Sequence, residues 1–211
     1  GEALEFSYGS NVTLSSWPEG RTYDPLNTRE RAEALFRAAI NDGRDPNDVA
    51  PLYTYDYDQQ SDGTTELNDI TIADQIGPGT RAAVPGTDWT KEISRTGVIQ
   101  NHDLSARVGS ERGSAYFGLR FNDNQGIVRE NDFQRVSAQI NSSFNFLDGR
   151  LTVGENLTLS KEKGTPLPSG LGGNPFLLSL RVRPIIPVRT EDGAFAGPTG
   201  NGSFSDRDNP V

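Results

Sequence analysis

The sequence contains no cysteine and no methionine in its 211 residues. Without cysteine the chain has neither a disulfide framework nor thiol chemistry. Because an initiating methionine and an apolar signal segment are both missing, we expect the chain either to begin inside a longer, processed protein or to have been trimmed. No stretch of the sequence approaches the roughly 18 consecutive apolar residues of a membrane-spanning helix.

Basic residues are scarce relative to acidic ones. Lysine and arginine together number 20 against 29 aspartates and glutamates, which gives a formal net charge of -9. Such a chain repels phosphates, which argues against nucleic acid as a partner. The mean hydropathy is low, at -0.59. A low value does not exclude a membrane protein, because a barrel strand exposes only alternate residues to lipid.

Alternation of apolar and polar residues predicts five β-strands, one over residues 3–14 and four between residues 100 and 160. Asp148 and Gly149 give a strong hairpin-turn signal between the last two strands. The residues expected on the apolar faces are Leu4, Phe6, Tyr8, Leu104, Ala106, Val108, Ala115, Phe117, Leu119, Phe121, Val136, Ala138, Ile140, Leu151, Val153, Leu157 and Leu159.

The connections between the predicted strands differ in length. They are short at 109–113 and at 148–149, longer at 123–131, and longest after the first strand and after residue 160. Short turns on one side and long loops on the other are typical of outer-membrane barrels. A soluble β-meander alternates in the same way, so the pattern alone leaves both classes open.

A helix is expected over residues 27–40, with Asn27 as N-cap, Glu30 completing a capping box and Gly43 as the stop. The segment 44–86 is polar and acidic and is expected to be irregular. A short helix over 174–180 and an extended run over 181–187 are expected in the last loop.

The irregular segment holds the candidate substrate-binding residues. Tyr53, Tyr55 and Tyr57 interleave with Asp56 and Asp58, an arrangement that suits sugars because aromatic rings stack on apolar sugar faces and carboxylates accept from hydroxyls. The alternative is that these residues pack the loop. Most loop residues do not touch ligand.

A calcium site is the second hypothesis for this segment. The spacing of Asp58, Gln60, Asp62, Thr64, Glu66 and Asp69, with Gly63 between them, follows a calcium-binding loop. Gln60 and Asp69 depart from the usual ligands at their positions, and flanking helices are not expected. The alternative is a solvated acidic loop without Ca2+.

No residue set indicates catalysis. His102 is the sole histidine and has no acid and nucleophile beside it in sequence, so a polar role in a barrel wall is expected. Glu191 and Asp192 fall in a turn-like segment and do not indicate a hydrolase. Trp89 is expected to anchor the base of the loop; a place in an interfacial aromatic girdle is the alternative.

Several motifs occur in a fixed order along the chain. They are TDW (87–89), EISR (92–95), IQNHDLS (99–105), GSERGSAYF (109–117), DNQGIV (123–128), DFQR (132–135) and LTVGENLTLS (151–160). In this order they resemble the SusC/RagA family of TonB-dependent outer-membrane transporters of Bacteroidetes-type bacteria. The helical segment 24–39 and the segment 181–198 resemble the same family.

The resemblance implies an all-β fold with a short loop helix, forming an antiparallel segment of a transmembrane β-barrel of about 22 strands with a plugged lumen. It assigns residues 1–15 to the first barrel strand and 16–99 to a long extracellular loop with helix 27–40. It assigns residues 100–160 to four barrel strands with short periplasmic turns, and it assigns residues 161–211 to a second long extracellular loop region.

The resemblance also implies a function and partners. The whole protein would import nutrient oligomers, glycans or peptides, across the outer membrane. It would work with a SusD-like surface lipoprotein as a lid and draw energy from TonB, and pairs of transporter and lid would form dimers. The chain alone has no plug and too few strands to transport, so it is expected to be a fragment and not an enzyme.

Two rival functions remain: a soluble β-rich glycan-binding or adhesin module, and a disfavoured glycoside hydrolase fragment for which no acid pair can be named. Glu155 is out of place in the barrel interpretation, because an acid on a lipid-facing surface costs free energy. It is expected either near a rim or turned inward by a bulge.

Overall fold

The computed structural model describes residues 3–18, 23–170, 172–197 and 209–211, and these form two compact units. The sheet unit takes residues 1–21 and 94–167, and the loop unit takes 22–93 and 168–211. The elements in chain order are β1 (Ala3–Ser15), α1 (Thr28–Asn41), α2 (Pro46–Val49), β2 (Tyr53–Gln59), β3 (Thr65–Ile72), β4 (Gln75–Gly77), β5 (Thr80–Arg81), α3 (Trp89–Glu92), β6 (Gly97–Ser110), β7 (Gly113–Gln125), β8 (Asp132–Phe146), β9 (Leu151–Thr165) and α4 (Pro175–Ser179). Within the described residues, no helix combines the length and the apolar content needed to cross a membrane.

Five long strands form one antiparallel sheet in the order β1-β6-β7-β8-β9. The pairing runs without a register shift along all four pairs of neighbours. The five predicted strands are therefore confirmed, and several extend beyond the predicted ends. All long connections leave from the end of the sheet that carries Ser15 and Thr165, which we call the long-loop end. The opposite, short-turn end carries two tight turns.

The turn between β8 and β9 shows why one glycine is needed there. Phe146 pairs with Leu151, so four residues close the hairpin. Leu147 and Asp148 have φ of 53°, and Gly149 has φ of 84°. Three successive positive φ values reverse the chain sharply, and glycine adopts that region without a steric penalty. The predicted turn is confirmed.

Helix α1 begins and ends as its sequence predicts. The Asn27 side chain accepts a hydrogen bond from the Glu30 amide at 3.0 Å, and the Glu30 carboxylate accepts from the Asn27 amide at 2.9 Å. This reciprocal pair satisfies two amides that the first turn leaves without helical partners. At the other end Gly43 has φ of 67°, which allows the chain to leave the helix.

The expectation that residues 44–86 are irregular is wrong. This segment folds into α2 and two hairpins, β2–β3 and β4–β5. The larger hairpin has a bulge at Asp56 and Tyr57. It forms because alternate residues of β2 are apolar and pack against α1, which outweighs the low strand propensity of its aspartates.

The loop unit has an ordinary hydrophobic core. Its buried residues come from α1, the end of α2, both hairpins, α3 and the segment after α4: Ala32, Phe36, Ala50, Tyr53, Tyr55, Ile70, Ile76, Trp89, Val182, Ile185, Ile186 and Ala196. Trp89 is 2% exposed, and its indole Nε1 donates to the Arg183 carbonyl at 3.3 Å. The anchoring role predicted for Trp89 therefore agrees with its position.

The last loop agrees with the sequence analysis only in part. Helix α4 forms within the expected range 174–180, and Asn174 is its N-cap. The run 181–187 is a series of turns and not an extended strand. Parts of three expected segments lie outside the described residues: 1–2 of the first strand, 19–22 of the first loop, and 171 and 198–208 of the last loop.

Candidate functional site

The two faces of the five-stranded sheet differ in chemistry, and neither is covered by another layer of the sheet unit. One, the apolar face, exposes large side chains, from 37% for Phe121 to 69% for Phe6. Its residues are Leu4, Phe6, Tyr8, Val12, Leu14, Leu104, Ala106, Val108, Ala115, Phe117, Leu119, Phe121, Val136, Ala138, Ile140, Phe144, Phe146, Leu151, Val153, Leu157 and Leu159. A continuous exposed apolar surface of this extent marks contact with a membrane or another protein.

The apolar residues form an oblique band across the strands. On β1 the band runs from Leu4 to Leu14 and is centred at Gly9, whereas on β9 it runs from Leu151 to Leu159 and is centred at Glu155. Followed through the pairing, Gly9 lies level with Ser160. The centre therefore shifts along the strands by about five residues over four strand spacings. At about 3.3 Å per residue and 4.8 Å per spacing, the band is tilted by about 40° from the perpendicular to the strands.

The opposite, polar face carries paired side chains. The Arg120 guanidinium donates to the Asp103 carboxylate. Asn122 Nδ2 donates to Asn101 Oδ1 at 2.7 Å, and nearer the long-loop end Arg135 Nε lies 3.2 Å from Glu162 Oε1. These contacts join neighbouring strands, and the two ion pairs remain largely open to water. The sequence indicated them only as the polar half of the alternation.

A groove of about 450 Å³ follows this polar face. Small residues of β1, β6 and β8 form its floor, and Arg120 and Tyr116 stand beside it. The Tyr116 ring lies over Gly118, where an added Cβ would come within 2.8 Å of the phenolic oxygen. Arg107 covers the same ring, with its guanidinium carbon 5.8 Å from the ring centroid. Gly118 thus lets a large ring lie flat along the sheet.

His102 does not lie on the polar face of the sheet, and the polar role in a barrel wall expected for it stays a prediction. It is on the apolar face between Tyr8 and Phe121, with ring centroids 6.2 Å from each. The Tyr8 hydroxyl lies 2.8 Å from His102 Nδ1, so the two side chains satisfy one another's polar atoms. Pairing across strands is what makes two polar groups tolerable on an apolar surface.

Glu155 also lies on the apolar face, midway between the apolar ends Leu151 and Leu159. The register between β8 and β9 is unbroken, so no bulge turns Glu155 to the other face, and it does not lie at the rim of the band. Both expectations for this residue are therefore wrong. Its carboxylate accepts a long hydrogen bond from Ser142 Oγ, at 3.3 Å.

The tyrosines predicted to bind substrate have different environments. Tyr53 and Tyr55 are only 6% and 4% exposed and belong to the core of the loop unit. The Tyr55 hydroxyl donates to the Ala32 carbonyl at 2.9 Å, and burial raises the pKa of Tyr55 to about 12. This geometry corresponds to the packing alternative for these two residues.

The other two candidates are nearer the surface. Tyr57 is half-buried against Phe36, with ring centroids 5.5 Å apart, and its hydroxyl donates to Asp45 at 3.1 Å. Partial burial and this hydrogen bond raise the pKa of Tyr57. Asp56 is exposed on the outer face of the hairpin. Ligand contact by Asp56 and Tyr57 stays a prediction.

The outer face of the β2–β3 hairpin places like charges opposite one another. Asp56 pairs with Asp69, and Asp58 pairs with Glu66. Directly opposed like charges destabilise a strand pair. Arg29 offsets one pair, because its guanidinium lies 3.2 Å from the Asp69 carboxylate. The hydrogen bond from the Ile70 amide, and after it the Arg29 guanidinium, lowers the pKa of Asp69.

The six residues predicted to bind calcium do not converge on one point. Asp62 accepts from the amide and hydroxyl of Thr64, which lowers the pKa of Asp62. Gln60 contacts Glu66 at 3.3 Å, and Asp58 accepts from Asn68 while Asp69 binds Arg29. Over the parts of the chain that the structure describes, no group of three or more acidic or histidine side chains could hold a metal ion. Calcium binding would require the hairpin to rearrange, and it stays a prediction.

Comparison with known proteins gives partial support to the family resemblance. The chain is similar to a TonB-dependent receptor. It is 27% identical over 111 residues to the TonB-dependent receptor SusC of Bacteroides thetaiotaomicron, a stretch that covers 52% of this chain and 11% of that receptor. The matched part is therefore about a tenth of the length of that relative. No family model matches the chain.

Proposed function

We propose that this chain is part of a TonB-dependent outer-membrane importer of nutrient oligomers, in which the apolar face contacts lipid and the polar face lines a wet lumen. The observation that carries the proposal is the five-stranded sheet with one exposed apolar face and one paired polar face. A soluble sheet buries its apolar face against another layer, whereas a barrel strand turns that face to lipid.

The dimensions of the band support lipid as the contact. Strands of outer-membrane barrels tilt by about 35–45° and carry an apolar band about 25 Å tall. The band on this sheet corresponds to a tilt of about 40°. The run from Leu4 to Leu14, projected at that tilt, spans about 25 Å.

The sheet has two open edges, and a lipid environment does not tolerate them. The outer edges of β1 and β9 pair with no other strand that the structure describes. We propose that further strands of the same protein pair with both edges and close a barrel of about 22 strands, the size of plugged outer-membrane transporters.

The two parts of the chain would have separate tasks in import. The polar face of the sheet offers a groove lined mainly by small and polar residues, which suits a hydrated oligomer. The loop unit presents Asp56 and Tyr57, which suit sugar hydroxyls and ring faces; peptides are the other candidate cargo. The similarity to a TonB-dependent receptor supports TonB as the energy source, and a SusD-like lipoprotein as lid is a further part of the proposal.

The alternative function, a soluble glycan-binding or adhesin module, rests on the loop unit, which has a core of its own. That function leaves the apolar face of the sheet without an explanation. It predicts a product that folds without detergent and remains in the soluble fraction.

Site-directed spin labelling tests the proposal directly, because this chain has no native cysteine. The full-length gene product, with any cysteine outside this chain replaced, would carry Ala138→Cys or Ile140→Cys on the apolar face. Ser137→Cys and Gln139→Cys, on the polar face of the same strand, are the matched controls. In reconstituted membranes the first pair should be accessible to oxygen and the second pair to a water-soluble nickel chelate. Equal water access on both faces would reject the importer in favour of the soluble module.

A further inference from the structure

The positive charges of the sheet are divided between its faces by residue type. The polar face carries arginines, of which Arg120 and Arg135 bind carboxylates. The apolar face carries Lys161 and Lys163, on β9 just beyond Leu159 toward the long-loop end. The sequence has only one other lysine, Lys91, which lies 3.0 Å from the Asp88 carboxylate in the loop unit.

Lys161 and Lys163 are exposed, and neither forms an ion pair with any residue that the structure describes. Lys161 lies opposite Val136, and Lys163 lies opposite Gln134. The acids that share this face do not neutralise them. Asp123 is two strands away, about 10 Å, and Asp132 is held by Arg95. Glu155 is six residues from Lys161 along β9, about 20 Å. Glu162, between the lysines, is on the polar face.

The two lysines also lie at a defined height. Taken from the centre of the band at Glu155 and projected at a tilt of about 40°, Lys161 is about 15 Å and Lys163 about 20 Å from the middle of the band. The apolar band of a barrel ends about 12 Å from its middle. Both ammonium groups therefore lie where lipid headgroups begin, and the lysine stems can lie along apolar surface while their charges reach the interface.

We propose that Lys161 and Lys163 bind the phosphate of an anionic membrane lipid at the long-loop margin of the apolar face, an inference that rests on the proposed lipid contact of that face. Alternate residues of a strand stand about 7 Å apart on one side. Two ammonium groups at that spacing can approach one phosphate from both sides, as point charges without the planar geometry of arginine.

Fluorescence quenching by brominated lipids tests the binding at this position. A fluorophore on Leu159→Cys would report on lipid beside the lysines, and one on Leu151→Cys would report on the other end of the same strand face. The full-length gene product would be reconstituted in phosphatidylcholine vesicles that contain either brominated phosphatidylglycerol or brominated phosphatidylcholine. Lys161→Gln with Lys163→Gln removes the site, and Lys91→Gln is the matched change of charge elsewhere.

We expect the Leu159→Cys probe to prefer brominated phosphatidylglycerol. A lysine near an anionic surface contributes about 1 kcal/mol, or about fivefold, so the pair should give a preference of up to about 30-fold. The preference should vanish in the double variant, persist in Lys91→Gln and be absent at Leu151→Cys. Continued quenching by brominated phosphatidylcholine shows that the variant is still inserted.

The contrary outcomes separate the two proposals. Equal quenching by both lipids at Leu159→Cys, or a preference that survives the double variant, overturns the lysine site and leaves the importer standing. A preference that Lys91→Gln also abolishes overturns the local explanation. Quenching by neither lipid at either probe overturns the lipid contact of the apolar face and, with it, both proposals.

Discussion

Replacing Glu155 with leucine should stabilise the membrane-inserted protein. Glu155 lies at the centre of the apolar band on β9, with Val153 and Leu157 on either side of it on the same face. In the proposed barrel its carboxylate faces the middle of the bilayer unless another group binds it. The change Glu155→Leu removes a polar group from that position and extends the apolar surface.

The size of the effect follows from two opposing contributions. A basic residue at the midplane of a barrel's lipid face costs about 2–4 kcal/mol, and an acid costs less, so we take about 1–2 kcal/mol for Glu155. Losing the bond from Ser142 offsets this by only about 0.5 kcal/mol, because at 3.3 Å it is long. The net gain in the free energy of unfolding should be about 1 kcal/mol.

The measurement is urea unfolding of the full-length gene product in phospholipid bilayers. The matched control is Glu162→Leu on the same strand, where the carboxylate lies on the polar face beside Arg135. Glu162→Leu should not stabilise, since it puts an apolar side chain into water and removes an ion pair. A loss of more than about 1 kcal/mol in Glu155→Leu would refute the reasoning. It would mean that a group outside this chain binds the carboxylate and that this position does not face lipid.

Three further predictions concern the loop unit. Phe36→Ala should destabilise that unit by about 3–5 kcal/mol, because Phe36 is 5% exposed in its core; hydrogen exchange should rise across α1 and the β2–β3 hairpin but not across β6 to β9. Burial raises the pKa of Tyr55 to about 12, so the contribution of its neutral hydroxyl to stability is complete below pH 10 and lost as the pH rises through 12. Tyr55→Phe should therefore flatten the pH dependence of the free energy of unfolding of this unit between pH 10 and 12. An unchanged pH dependence would contradict the burial of Tyr55. Millimolar calcium should slow amide exchange in the hairpin if the predicted site exists, and Asp58→Asn should abolish the protection; exchange rates indifferent to calcium would reject the site.

Local patterns in the sequence predicted the sheet well because each strand carries its own evidence. Alternation fixed which residues of β1 and β6 to β9 share a face, and Asp148 with Gly149 fixed one turn. The same holds for α1, whose capping box requires only Asn27 and Glu30. These features depend on neighbours within a few residues, so a single chain is sufficient to recognise them.

The β2–β3 hairpin was missed although its pattern was visible. Tyr53, Tyr55 and Tyr57 alternate with polar residues, which is also the period of a strand. The aspartates between them are poor strand formers, and that favoured an irregular loop. Tertiary packing stabilises the hairpin, because Phe36 of α1 contacts the rings of Tyr55 and Tyr57 at centroid distances of 5.5 Å. The aromatic rings that suggested sugar binding are therefore largely the core of the unit.

The surroundings of His102 and Glu155 could not be predicted, because they depend on the alignment of strands far apart in sequence. His102 meets Tyr8 across a separation of 94 residues. Glu155 lies at the centre of the band only because the band shifts along successive strands, and that shift exists only once the register is known. The same shift of the band along β9 places Lys161 and Lys163 beyond its apolar end, at the height of the lipid headgroups in the proposed barrel. One geometric quantity, the tilt of the band, thus sets the heights of Glu155, Lys161 and Lys163 relative to the middle of the band. The tests of Glu155 and of the two lysines therefore check the same quantity at two different heights.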